Sequence, residues 1–434
     1  MKRLLIKNIG LLAGITDGQR VKRGKEMAQT GCLENAWLLI EDGRIADYGT
    51  QTDFSETSSP SKLEGVRGRV SENTPHRGAG GPVFDADGGC LLPSFCDPHT
   101  HIVYADSREQ EFVDKINGLS YAEIAKRGGG ILNSADRLHA LSEDELFQQS
   151  MPRIHEIISK GTGAVEIKSG YGLSTEDELK MLRVIRRIQQ STPLKVLSTF
   201  LGAHAVPRGM NQSDYVDKII NEMIPAVAQE KLADFIDVFC DKGFFTPQET
   251  ARILEAGAKY GMPAKIHAQE LADSGGVEVA VSHNALSVDH LESMTEKDIH
   301  LLRHSQTIPT CLPGTSFFLN MPFAPARRMI QEGLPVAIAT DYNPGSTPSG
   351  DMKFCLSLAC IKMRMLPEEA LNAATLNAAA AMAISHDYGS IERGKVANFF
   401  ITSAIPSLAY IPYAYTQNLV RHVFLKGERI TTGF

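Results

Sequence analysis

Five of the chain's thirteen histidines close short apolar runs, and that placement is the first sign of chemistry. His99 and His101 stand in Asp97-Pro98-His99-Thr100-His101, directly after Leu91-Leu92-Pro93-Ser94-Phe95. Alternate side chains of a strand share a face, so the two imidazoles aim together while Thr100 points away. Two converging imidazoles can begin a metal site. Other runs end in Glu166-Ile167-Lys168-Ser169-Gly170-Tyr171-Gly172, in Gly202-Ala203-His204, in Lys265-Ile266-His267-Ala268-Gln269-Glu270 and in Val288-Asp289-His290. Another ends in Ala339-Thr340-Asp341 and continues Tyr342-Asn343-Pro344-Gly345-Ser346, while Arg108 follows the first. Each has a bland explanation when taken alone. A strand-end histidine is usually a satisfied core or rim residue, Asp341 can cap a helix, and Glu166 with Lys168 can be a structural ion pair. A fold that carries all these ends to one rim would explain them together, as metal chemistry.

The elements that must do the carrying are legible. Apolar runs rich in β-branched residues occupy 90–96, 163–168, 194–200, 234–240, 263–267, 285–290, 306–312 and 335–340. Charged segments of helical period lie between most of them, such as Thr175 to Gln190 and Thr246 to Tyr260. About eight such units over roughly 300 residues predict an α/β fold, a (β/α)8 TIM barrel whose chemistry gathers at the C-terminal ends of its strands. A doubly wound open sheet is the competitor, and its dinucleotide-binding version lacks a Gly-x-Gly-x-x-Gly after the first strand. The termini differ. Asp42-Gly43 and Lys426-Gly427 each separate two apolar alternating stretches, a hairpin signal. Both ends therefore predict one small β-sandwich domain. The expected division is 1–92 and 389–434 for that domain and 93–388 for the barrel, with a Ser-, Gly- and Pro-rich loop insertion at 56–81.

Composition excludes other classes. The 434 residues, 43% of them hydrophobic, suffice for a large core. A net charge of −7 without any Lys/Arg run argues against nucleic acid and anionic membrane as partners. No uncharged apolar stretch is long enough to span a bilayer, and the N-terminal apolar run is broken by Lys7 and Asn8. Seven scattered cysteines without a Cys-x-x-Cys pair fit a reducing compartment, so a cytoplasmic protein acting on a small-molecule substrate is expected.

Histidines on strands one, five and six with an aspartate on strand eight resemble the amidohydrolase superfamily. Gly389-Ser390-Ile391-Glu392-Arg393-Gly394-Lys395-Val396-Ala397-Asn398 resembles that superfamily's return into its small β domain. More narrowly, the chain is similar to the imidazolonepropionase family of histidine degradation. The matching words are Asp97-Pro98-His99-Thr100-His101, Ser107-Arg108-Glu109, Gly128-Gly129-Gly130-Ile131-Leu132 and Lys168-Ser169-Gly170-Tyr171-Gly172-Leu173. To these are added Gly202-Ala203-His204, Asp341-Tyr342-Asn343-Pro344-Gly345-Ser346 and Tyr410-Ile411-Pro412-Tyr413. The likeness covers nearly the whole chain except the 56–81 insertion.

The resemblance implies metal-dependent hydrolysis of 4-imidazolone-5-propanoate to N-formimidoyl-L-glutamate. It implies metal ligands His99, His101, His267 and Asp341, catalytic roles for Glu270, His290 and Asp341, and substrate contacts from Arg108, Tyr171, His204, Glu270, Asn343, Gly345 and Ser346. Nitrogen and carboxylate ligands suit zinc and iron alike, and either Glu270 or Asp341 could be the base. Binuclear relatives use a lysine on strand four; Asp234 to Cys240 holds none, so one divalent metal is expected. A homodimer is a further family-based expectation. The departures are Pro93-Ser94 for the usual Pro-Gly, Cys96 for an aliphatic residue and Asn398 for an aspartate, none of them at the expected site. A deaminase of the same superfamily would share the metal ligands and Glu270 without needing Arg108 or Tyr171, and a metal-free scaffold protein would have lost ligands that are all present.

Overall fold

The computed structural model describes residues 2–52, 81–119, 123 and 129–431. The 56–81 insertion, save Gly81, and Gly128 of the glycine-rich word lie outside the described residues.

The two termini build one mixed sheet. The long strand Arg3–Ile15 pairs antiparallel with Gly31–Glu41 on one side and parallel with Val83–Asp85 and Cys90–Pro93 on the other. Cys90–Pro93 in turn pairs with Phe399–Thr402, which leads through Val420–Leu425 to Glu428–Ile430. Both expected hairpins form. Asp42 (φ 47°) with Gly43 (φ 78°), and Lys426 (φ 52°) with Gly427 (φ 74°), adopt the paired left-handed conformations that two-residue hairpin turns require. The two turns meet across Ala397, whose N–H donates to Gly43 and whose carbonyl accepts from Gly427, both at 2.9 Å. The sheet thus folds over one apolar cluster that includes Ile6, Leu38, Ile40, Phe399, Ile401 and Phe424.

The second sheet is the barrel. Its strands are β1 (Phe95–Thr100), β2 (Thr162–Lys168), β3 (Lys195–Ala203), β4 (Phe235–Cys240), β5 (Ala264–Ala268), β6 (Ser287–His290), β7 (Ile308–Cys311) and β8 (Ala337–Ile338). They are parallel and ordered as in the chain. β1 and the segment after β8 close the circle: Thr100 bridges Tyr342, His101 N–H donates to the Tyr342 carbonyl at 2.9 Å, and Asp341 N–H donates to the His99 carbonyl at 3.0 Å. An open doubly wound sheet is thereby excluded. The expected run 90–96 divides between the two sheets, because Cys90–Pro93 joins the terminal sheet and only Phe95 onward enters the barrel.

Helices cover the outside, their starts written in the sequence. Ser142, Ser174, Thr246 and Thr295 each accept an N–H of the first turn, capping Glu143–Ser159, Thr175–Ser191, Pro247–Ala258 and Glu296–Arg303. Inside, the lower layer is apolar: Ala164, Leu197 and Phe235 pack with Ala378, Ala379 and Met382 around the helix Leu376–Ala381. The layer above is polar, and it supports the site. No helix among the described residues is long and apolar enough to cross a membrane. All seven cysteines are free thiols.

Candidate active site

The end of β1 delivers two imidazoles and β5 a third. The ligand nitrogens of His99, His101 and His267 all lie within 4.8 Å of one another, and all three residues are buried. Their Nε2 atoms are left for a common partner. His99 and His101 turn Nε2 toward each other at 3.3 Å, and buried His267 Nε2 has no hydrogen bond among the described residues. Asp341 brings Oδ1 to 3.6 Å from Nε2 of both His99 and His101, while its Oδ2 accepts the hydroxyls of Thr315 (2.6 Å) and Ser346 (3.2 Å). Asp341 thus reaches two members of the trio and stands farther from the third. Burial, reinforced by neighbouring imidazoles and the Lys168 ammonium, pushes His99 and His101 well below the usual histidine range, which keeps them neutral as ligation requires. Three buried imidazoles and a carboxylate, with His267 Nε2 lacking a hydrogen bond among the described residues, fit a divalent transition metal.

The polar layer beneath orients these rings. His99 Nδ1–H donates to Asp289 at 2.7 Å and His267 Nδ1–H to Asp237 at 3.1 Å, so each ring keeps Nε2 for the centre. The Lys168 ammonium joins the carboxylates, 2.6 Å from Glu166, 2.8 Å from Asp237 and 3.7 Å from Asp289. Lys265 bonds to the other oxygen of Glu166 and to the Pro98 carbonyl. Burial alone would lower Lys168, but Asp237, Glu166 and Asp289 override it and hold it well above the ordinary lysine value. Burial likewise resists ionisation of Asp237, yet His267 and Lys168 keep its carboxyl far below the usual range.

Strand alternation would turn Asp289 and His290 to opposite faces. His290, however, sits at φ 84°, a costly left-handed conformation for a non-glycine residue, and its ring swings to 5.5 Å from that of His99 and 5.3 Å from that of His267. Its Nε2 lies 3.6 Å from Glu270 and its Nδ1 3.6 Å from Glu292. Burial raises the Glu270 carboxyl to about 7. Burial would lower His290, but Glu270 and Glu292 on either side raise it to about 10. Asp341 (φ 55°) and Gln269 (φ 51°) share the left-handed conformation, so strain collects at this rim.

Opposite these groups stand Tyr171, 5.8 Å from the His101 ring, and His204, stacked on His101 at 5.2 Å. Arg108, buried at the start of the helix Glu109–Ile116, is held by Glu111 at 2.5 Å, and a Cβ on Gly345 would collide with its guanidinium. Asn343 is turned inward. Its amide donates to the Asp341 carbonyl and to Ser346, and its Oδ1 accepts the N–H groups of Gly345 and Ser346, each at 2.8 Å or less. It shapes the loop that carries Gly345 and Ser346.

An amidohydrolase family profile matches residues 90–430. The imidazolonepropionase of Christiangramia forsetii is 49% identical over 98% of this chain and all of that protein. The imidazolonepropionase of Alkaliphilus oremlandii is 41% identical over 98% of this chain and 96% of that protein. The chain belongs to the imidazolonepropionase family of amidohydrolases. Its fold is also that of more distant solved structures. Escherichia coli guanine deaminase superposes with a TM-score of 0.72 at 13% identity, covering 99% of both chains. A Xanthomonas campestris adenosine deaminase with bound zinc gives 0.68 at 17% identity, covering 98% of this chain and 92% of that one.

For this amidohydrolase, every residue expected at the site from the sequence lies at the same barrel mouth or in its loops, and Asn343 faces the loop. Sequence reasoning assigned no role to Asp237, Asp289, Lys265, Glu292 or Thr315. A signal existed for Lys265, which shares strand parity with His267. Asp237→Asn should weaken metal binding about 10- to 100-fold, because His267 loses its anionic partner. Competition with a chromogenic chelator measures this, and wild-type affinity would remove Asp237 from the orienting role.

Proposed function

We propose a division of labour for the hydrolysis of 4-imidazolone-5-propanoate to N-formimidoyl-L-glutamate, the reaction expected of this family. The supporting observation is the convergence, at one barrel mouth, of a three-histidine cluster with the Glu270–His290 pair. His99, His101, His267 and Asp341 hold one divalent ion, zinc or iron. When bound, that ion supplies Lewis acidity, lowering the pKa of a water toward about 7 and polarising a carbonyl.

The chain's own groups do the rest. A water oxygen bonds to the ring carbonyl carbon, the ring C–N bond breaks, and the departing nitrogen takes a proton. His290, charged between Glu270 and Glu292, donates a hydrogen bond to the carbonyl oxygen as negative charge grows there. Glu270 carries the proton from water to nitrogen. Its raised carboxyl can both take and release a proton near neutral pH. Asp341 is less free to do so, since two hydroxyls anchor its Oδ2. Arg108, fixed by Glu111, meets the propionate with a planar fork. Tyr171 and His204 line the same end, with Gly345 and Ser346 contributing loop contacts that Asn343 holds in place.

The deciding assay follows loss of imidazolone absorbance with appearance of formimidoylglutamate, alongside metal analysis. Turnover of guanine or cytosine only, or full folding without stoichiometric metal, would refute the reading. Arg108→Ala should raise KM about 10- to 100-fold, the worth of a charged hydrogen bond to a carboxylate, with metal content kept. An unchanged KM would remove Arg108 from substrate binding.

A further inference from the structure

Glu178 is completely buried in the first turn of the helix Thr175–Ser191, and no step above uses it. Its carboxylate reaches back over the loop Ser169–Leu173. One oxygen accepts the Gly170 N–H at 3.1 Å; the other accepts the N–H groups of Gly172 (2.8 Å) and Leu173 (2.9 Å). This loop has left the strand, and its backbone donors need partners from elsewhere. Gly170 at φ 112° and Leu173 at φ 54° show how sharply it turns. A Cβ on Gly172 would strike the backbone of Asp177 and Glu178, so loop and helix are fitted to each other.

The loop has two outputs toward the mouth. It presents the Tyr171 ring, 5.3 Å from that of His204. It also offers the Gly170 carbonyl to His204 Nδ1 at 2.9 Å. A carbonyl only accepts, so His204 carries its proton on Nδ1 and holds its ring parallel to His101, the planes 13° apart.

We infer that Glu178 is a positioning residue for the substrate end of the site: through Gly170 it sets the tautomer and tilt of His204, and through Gly172 and Leu173 it sets Tyr171. The substrate contacts of His204 and Tyr171 rest on the function proposed above; the loop geometry does not.

Glu178→Gln tests this. The amide oxygen can still serve Gly172 and Leu173, but the amide NH2 meets the Gly170 N–H donor to donor. Metal content and kcat should stay near wild type while KM rises about tenfold, the effect of one buried donor left unmade. Nitrogen-correlated NMR of the histidine rings should show the Nδ1–H pattern of His204, identified by its loss in His204→Gln, altered in Glu178→Gln. Unchanged KM with an unchanged His204 pattern overturns the inference. So does a joint fall in kcat, metal content and melting temperature, which marks a merely structural carboxylate. If Glu178→Gln does not fold, Gly170→Ala sets a Cβ 2.8 Å from His204 Nδ1 and should give the same KM rise and ring signature; wild-type values there overturn it too. The NMR readout needs no substrate. A chain inactive on imidazolone therefore sinks the proposed function and leaves this inference to stand or fall on the His204 signal.

Discussion

His267→Ala is expected to give a folded barrel with neither metal nor turnover. Its Nε2 is buried without a hydrogen-bond partner among the described residues and belongs to the three-nitrogen group, while its Nδ1 is tied to Asp237. Alanine removes one of the three nitrogen ligands, and the two imidazoles and the carboxylate that remain hold the ion too weakly to keep it through purification. Folding should survive, because Asp237 keeps Lys168 at 2.8 Å and is not left as a lone buried charge. Loss of a Lewis acid worth several kcal/mol lowers kcat by about 10³-fold or more. Metal analysis, circular dichroism and the imidazolone assay together decide it. An active, metal-replete variant would falsify the assignment of His267 as a ligand.

Glu270→Gln should keep the metal and lose the reaction. Glu270 lies three residues beyond His267, past the end of β5, and its carboxylate stands 3.6 Å from His290 Nε2. Glutamine preserves its size and removes the ionisable proton. Loss of a general acid–base group costs about 10²- to 10⁴-fold in kcat. Should kcat hold while KM alone rises, Glu270 binds the ring without moving protons, and Asp341 becomes the base.

Much of this site could be read from strand alternation. The polar residues ending apolar runs, His99, His101, His204, His267 and His290, do collect at one mouth, because a parallel barrel places every strand's C-terminal end there. The hairpins at Asp42-Gly43 and Lys426-Gly427 were equally plain, since glycine favours the second turn position in both and aspartate the first position in one. Other features were not legible. The run 90–96 is interrupted only by Pro93-Ser94, which does not by itself show that Cys90–Pro93 pairs in one sheet and Phe95–Thr100 in another. Asn343 has the chemistry of a substrate contact, and only the loop's folded shape shows its amide consumed within the loop.

Residue type and spacing, then, determined the barrel, the small β domain and the three histidines of the candidate centre. These follow from backbone geometry that neighbours in sequence share, chiefly the two-residue repeat of a strand. Tertiary structure decided the rest. Glu166, Lys168, Asp237, Lys265 and Asp289 come from four strands, and become one charge network only through the register of strand pairing. Asp and His tolerate positive φ better than most residues, but that tolerance does not single out His290 and Asp341, where the surrounding packing and bonds sustain it. Local chemistry names the groups, whereas long-range contact sets which atoms they turn toward one another.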